Sequence, residues 1–242
     1  AALAELAEEN AGQTATIALV DGSLILWGPA IQSYPDYVRN ALINEGLLPA
    51  LDKLKTAADR HPLILAAYIS LPGSTGVADA LRITVCPYKP VNCDQNCGHI
   101  KPGQRPCDSV GSILDRELFA HTLAPGERSD LFISTSSVVE EYYGSHAIAF
   151  YYLNTGEEIA RVEIPAWVAD DSTLVDLSHS LILDQCHRGL GYPVSIMEAH
   201  EQAVLTSQDR ELFGQMVEDT LLEQRLPVYT SGKAHSKRQR SL

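Results

Sequence analysis

Three places in the chain hold residue types that do chemistry. The first is Asp21, in "TIALVDGSLILW", where a carboxylate interrupts two apolar runs. In open α/β sheets, ligands gather beyond the carboxyl ends of strands, and hard divalent cations prefer oxygen ligands there. The plain alternative is an Asx-type or hairpin turn, with Gly22 supplying the unusual backbone angles. The second place is "GLGYPVSIMEAHEQAV", which carries Tyr192 and His200. At helical spacing His200 has Ile196, Ala203 and Val204 as neighbours, which predicts that it faces inward from an apolar side. A metal ligand or general acid and a satisfied core histidine both fit that placement. Tyr192 lies in a loop fixed by Gly191 and Pro193, either at a site or as a packed aromatic with its hydroxyl at the surface.

The third place is "CPYKPVNCDQNCGHIKPGQRPC", with Cys86, Cys93, Cys97 and Cys107 around His99. Thiolates separated by Pro and Gly turns suit a structural Zn²⁺ site, although no Cys-x-x-Cys pair is present. An irregular insertion with free thiols is the rival, and an iron–sulfur cluster is a third option. Serine-hydrolase chemistry is excluded, because no Gly-x-Ser-x-Gly elbow exists. "LPGSTG" follows a strand but lacks the lysine of a phosphate loop. The acidic group at Asp170, Asp171, Asp176 and Asp184 reads as the polar start and face of a helix.

These residues need elements to position them. Ala2 to Asn10 predicts a helix stopped near Gly12. Residues 17–20 and 24–27 read as strands on either side of the Asp-Gly-Ser. The segment from Ser33 to His61 has helical apolar spacing at Val38, Leu42, Leu51 and Leu54, with a break expected near Gly46 and Pro49. "PLILAAYIS" is a continuous apolar run ending at Pro72 and Gly73, the mark of a fully buried strand. Strand, long helix, buried strand predicts a crossover and a partly parallel sheet. "HAIAFYYLN" and "EIARVEIPAWVA" read as paired strands around "TGEE". "DSTLVDLSHSLILDQCHRG" is one helix, and one or two more follow, with Ser195 and Glu198 as a capping box. The expected fold class is α/β or α+β with a central mixed sheet.

The chain has 242 residues, 45% hydrophobic and 20% charged, with a net charge of −13. That suits one domain, with or without insertions, and argues against a nonspecific nucleic-acid coat. The last residues, "KAHSKRQRSL", hold four basic side chains and read as a solvated, disordered tail over 231–242. No apolar run approaches the roughly 20 residues of a membrane helix. Five cysteines without a secretory signal suggest a reducing compartment.

"ALVDGSLILW", "AAYISLPGSTGVADALR", "RVEIPAWVA" and above all "GYPVSIMEAHEQAV" together resemble the NurA family of DNA-repair nucleases, in its cyanobacterial flavour. The resemblance runs in order along nearly the whole chain, as a domain over 1–230 with a cysteine-rich insertion at about 86–108. It implies a ribonuclease-H-like α/β fold, a mixed central sheet flanked by helices. It also implies a cytoplasmic Mn²⁺-dependent (or Mg²⁺-dependent) nuclease acting on DNA ends, a homodimer beside a HerA-type hexameric helicase-translocase. By position, Asp21 matches a metal-binding aspartate, His200 the family's C-terminal active-site histidine, and Tyr192 its nearby tyrosine. The family's earlier Asp-Gly motif and its first strand have no counterpart here, so the expectation is a piece that is inactive by itself. An acidic ligand from the preceding helix also belongs to the family site. Glu5, Glu8 and Glu9 all lie off the apolar stripe of Ala2, Leu3, Leu6 and Ala7, and none is assigned. Two rivals stand beside this reading: a noncatalytic module docking on the translocase, and a zinc-stabilised DNA-binding protein read through the cysteine insertion.

Overall fold

A computed structural model describes residues 2–12, 14–26, 34–203 and 207–227. The chain divides into two compact units, Ala1–Met197 and Glu198–Leu242. The first unit is a mixed α/β layer structure. Helix α1 (Ala2–Asn10) leads to strand β1 (Thr16–Asp21). Helix α2 (Asp36–Leu42) passes through a π turn (Ile43–Leu47) into α3 (Leu48–Ala58), and then comes β2 (Leu63–Ile69). The break expected near Gly46 is therefore one wide turn within a continuing helix. Pro49 comes just after that wide turn, which locally loosens the backbone ladder where a proline has no N–H to give.

Helix α4 (Gly76–Thr84) precedes the cysteine-rich segment. That segment holds only a short helix, α5 (Cys93–Cys97), and a 3₁₀ turn (Pro106–Val110). Helix α6 (Asp115–Thr122), strand β3 (Phe132–Ile133) and helix α7 (Ser137–Tyr142) lead to β4 (Ile148–Asn154) and β5 (Ile159–Pro165). Two helices, α8 (Ala166–Ala169) and α9 (Ser172–Arg188), follow, and then α10 (Val194–Gln202). The strand predicted across "RVEIPAWVA" stops at Pro165, which cannot donate to a continuing ladder.

The sheet has the order β1-β2-β5-β4-β3. Strands β1 and β2 are parallel, with Asp21 opposite Tyr68, and every other pair is antiparallel. The parallel pair follows from the helical crossover between its strands, and β4–β5 is the expected hairpin. This is the α/β class foreseen from the sequence, a mixed central sheet with helices on both faces. On one face Ala18, Leu63, Leu65 and Ala67 pack with Ala4 and Ala7 of α1, Leu51 and Leu54 of α3, and Val138 and Val139 of α7. On the other, Ile64, Ala66, Tyr68, Tyr151 and Val162 pack with Val175, Ile182 and Cys186 of α9 and with Ile196. Strands β2, β4 and β5 are buried on both faces, which explains their unbroken apolar runs.

Four local expectations change. Leu6 is 57% exposed, and the buried residues of α1 are Ala4 and Ala7. Residues 24–26 are not a strand, although Leu24 and Ile25 are buried; Trp27 lies outside the described residues. Ser195 is the second residue of α10 rather than its cap, and its N–H goes to Gln185 Oε1 at 3.1 Å. His200 is exposed, not inward, because burial along α10 ends at Ile196. The 231–242 tail lies outside the described residues. In the second unit, α11 (Ser207–Glu223) carries exposed Leu212, Phe213 and Met216. Among the described residues no helix is long and apolar enough to cross a membrane.

Candidate functional site

Strand β1 ends on Asp21, which is exposed at the carboxyl end of the sheet. Gly22 follows at φ +98°, a conformation open to glycine at little cost, and its N–H bonds Tyr68 O at 3.0 Å. The backbone then leaves the ladder and lies against the sheet face opposite Asp21, where Leu24 and Ile25 are buried. The Ser23 hydroxyl donates to Glu163 Oε2 at 2.6 Å, and the Leu24 N–H donates to the same oxygen at 3.0 Å. Farther along, the Tyr143 hydroxyl donates to Leu24 O and accepts the Leu26 N–H, both at 2.9 Å. The Asp-Gly pair thus ends a strand and does not turn a hairpin.

Tyr192 reaches Asp21 from the other side. Its loop follows α9, with Gly191 at φ +103°. A Cβ on Gly191 would lie 2.6 Å from Glu157 Cγ, so both conformation and space call for glycine. The Tyr192 hydroxyl donates to Asp21 Oδ1 at 3.0 Å, and its ring stands edge-on to Tyr68 with centroids 5.5 Å apart. The Tyr192 phenol is pushed up to about 12 by burial, then by its bond to Asp21 and the charges of Asp21 and Glu158. It therefore stays a hydrogen-bond donor at neutral pH.

A second carboxylate supports this arrangement. Glu158, in the β4–β5 turn, accepts the Tyr68 hydroxyl at 2.7 Å, the Ser70 hydroxyl at 2.6 Å and the Leu71 N–H at 3.2 Å. Burial, with Glu158 next, holds the Tyr68 phenol far above its usual range. Glu163 lies in the middle of β5 with no solvent exposure, and Arg161 bonds it at 3.0 Å. The Arg161 guanidinium lies 3.6 Å from the centroid of the Phe150 ring. Sequence reasoning missed Tyr68, Glu158 and Glu163. The signal for Glu163 was present: an acidic residue inside "RVEIP" is as odd as Asp21 in its own strand.

The remaining expected residues divide. His200 lies in the Glu198–Leu242 unit and is exposed on α10. Cys86, Cys93, Cys97 and Cys107 line one open pocket of about 290 Å³, with Asp79, Arg82 and Arg105. Burial raises the Cys97 thiol, and the charges of Cys93, Cys107 and Cys86 push the same way. Arg82 donates to Asp108 at 2.5 Å and contacts Cys107 Sγ at 3.6 Å. Among the described residues no group of three or more His, Cys, Asp or Glu side chains is arranged to hold a metal ion. The donor chemistry of Asp21 still fits a hard cation of the Mg²⁺ kind. Such ions keep several waters and bind through one or two carboxylates plus substrate phosphates, rather than in an all-protein cage.

A search among curated proteins finds no match to the chain. Among solved structures, the NurA nuclease from Sulfolobus solfataricus is similar at 16% identity, over 88% of this chain and 62% of that one, with a TM-score of 0.39. The chain thus spans less than two thirds of that protein's length. The model of the NurA domain matches residues 1–205. With that match covering most of its length, the chain belongs to the NurA domain family.

Proposed function

We propose that this chain carries the nuclease chemistry of a NurA-type, divalent-metal-dependent deoxyribonuclease that trims DNA ends in double-strand-break repair. The observation that carries the reading is the Tyr192–Asp21 hydrogen bond. It joins the Asp-Gly-Ser and Gly-Tyr-Pro motifs across 171 residues at the carboxyl ends of two parallel strands. Asp21 would offer an oxygen to Mn²⁺ or Mg²⁺ beside a DNA phosphate, and Tyr192 would hold that oxygen in place. When bound, the ion would neutralise phosphate charge and lower the pKa of attacking water. By its place in the Gly-Tyr-Pro motif, His200 would be the active-site histidine of the same reading. A homodimer, a HerA-type translocase partner and a cytoplasmic location belong to the same reading.

The test is digestion of linear DNA by the full-length protein against Mn²⁺ and Mg²⁺ concentration, with Asp21→Ala alongside. Ion-dependent digestion lost in Asp21→Ala is the expected result. Ion-independent digestion, or full activity in the variant, rejects the reading. A structural zinc ion remains a second reading for the four cysteines, which line one pocket without being arranged as a ligand set.

A further inference from the structure

Glu163 is a carboxylate in the worst place for one. It is completely buried at the centre of a sheet, with Ala67 and Phe150 as its cross-strand neighbours. Arg161, two residues away and so on the same face, is its ion-pair partner. Buried ion pairs are weak sources of stability, because desolvation offsets most of their attraction. An apolar pair of the same volume holds such a core equally well or better. The pair therefore calls for an explanation other than stability.

The other Glu163 oxygen supplies one. Oε2 takes both the Ser23 hydroxyl and the Leu24 N–H, from the two residues that follow Asp21-Gly22. Asp21 continues the alternation of Ile17 and Leu19, which pack on the α9 face with Tyr192. Glu163 and Ser23 lie on the opposite face, beside the cluster that holds Ala67 and Leu24. The end of β1 is thus gripped from both sides of the sheet. Tyr192 takes the aspartate on one face, and Glu163 takes Ser23 and Leu24 on the other. Tyr143 holds the loop farther on, at Leu24 O and the Leu26 N–H, whereas Glu163 holds the residues next to Asp21-Gly22, in a segment whose composition reads as a strand running on.

We infer that Glu163, charge-balanced by Arg161, is a positioning residue that fixes the strand-to-loop transition after Asp21 and so sets the direction of the Asp21 carboxylate. Arg161 orients Glu163 by binding Oε1, which leaves Oε2 aimed at the loop. Neither residue need touch DNA or the ion. The inference rests on the nuclease reading only for its effect on activity; its structural content stands apart from it.

The experiment uses the full-length protein with the double substitution Arg161→Met and Glu163→Leu, which removes the pair without stranding a buried charge. A second variant, Ser23→Ala, cuts the same latch from the loop side and leaves the core intact. Three quantities are read: melting temperature, Mn²⁺ concentration for half-maximal DNA cleavage, and amide hydrogen exchange at Leu24 and in β2. The expected result is a folded double variant whose Mn²⁺ requirement rises about 10–100-fold, with cleavage recovering at high Mn²⁺. The Leu24 amide should exchange about 10–100-fold faster, with β2 unchanged. Ser23→Ala should shift the Mn²⁺ requirement the same way by less, and it decides the matter if the double variant does not fold. Unchanged Leu24 protection and an unchanged Mn²⁺ requirement in a folded variant overturn the inference. A wild type that does not cleave DNA rejects the nuclease reading instead, and the exchange data then still decide the role of Glu163.

Discussion

Replacing Tyr192 by Phe removes one oxygen and little else. The ring keeps its edge-on contact with Tyr68 at 5.5 Å, so the aromatic part of the interaction, about 0.5–1.5 kcal/mol, is retained. What goes is the hydrogen bond to Asp21 Oδ1 at 3.0 Å. A hydrogen bond to a charged group is worth about 1.5–3 kcal/mol when buried. Asp21 is exposed, so water replaces much of it, and about 1 kcal/mol of stability remains to be lost. For a domain of this size that lowers the melting temperature by about 2–4 °C. The functional effect should be larger than the thermal one. A carboxylate that has lost the partner orienting it typically loses about 10–100-fold in metal affinity. The assays are thermal unfolding and Mn²⁺ titration of linear-DNA cleavage by the full-length protein. A variant whose Mn²⁺ requirement stays within about twofold of wild type would show that the bond between the two motifs does not orient Asp21.

Alkali should expose two carboxylate-bound phenols, one in this network and one outside it. Tyr192 and Tyr152 are both pushed up to about 12 from 10, in each case first by burial, then by a bonded carboxylate, Asp21 and Asp115 respectively. A raised folded-state value stabilises fully below pH 10 and is lost as pH rises from 10 towards about 12, because the unfolded chain releases those protons first. Urea denaturation should therefore show stability falling across that window, with tyrosinate absorbance rising together with unfolding. A flat profile there would contradict the burial of these phenols. For the cysteine pocket we propose a structural zinc ion that draws the four thiols together. Elemental analysis should find about one zinc per chain, and Cys93→Ser should lose it and melt earlier. A zinc-free wild type rejects that site.

Much of the scaffold was legible because its signals are local. The limits of α1 follow from composition and the nearby Gly12, and the buried strand β2 follows from an apolar run bounded by Pro and Gly. The β4–β5 hairpin and the helix Ser172–Arg188 were equally plain. Asp21 stood out as a carboxylate among apolar residues and Tyr192 by its Gly-Tyr-Pro loop, and the structure brings them together. Glu158 was hidden because an acidic residue in a turn is ordinary. Only the approach of Tyr68 and Ser70, about 90 residues away in sequence, makes it part of the site.

The sequence by itself determined the longer helices, the strands β1, β2, β4 and β5, the full burial of β2, and which family the chain resembles. The tertiary structure decided the strand order, the exposure of His200 and the path after Gly22. Residues 24–26 have strand-like composition, yet they leave the ladder. Their partners are the buried Glu163 carboxylate and the Tyr143 hydroxyl, both more than 100 residues downstream. Local propensity spans a few residues, whereas the cost of leaving Glu163 unpaired in the sheet is set by whatever the fold brings to it.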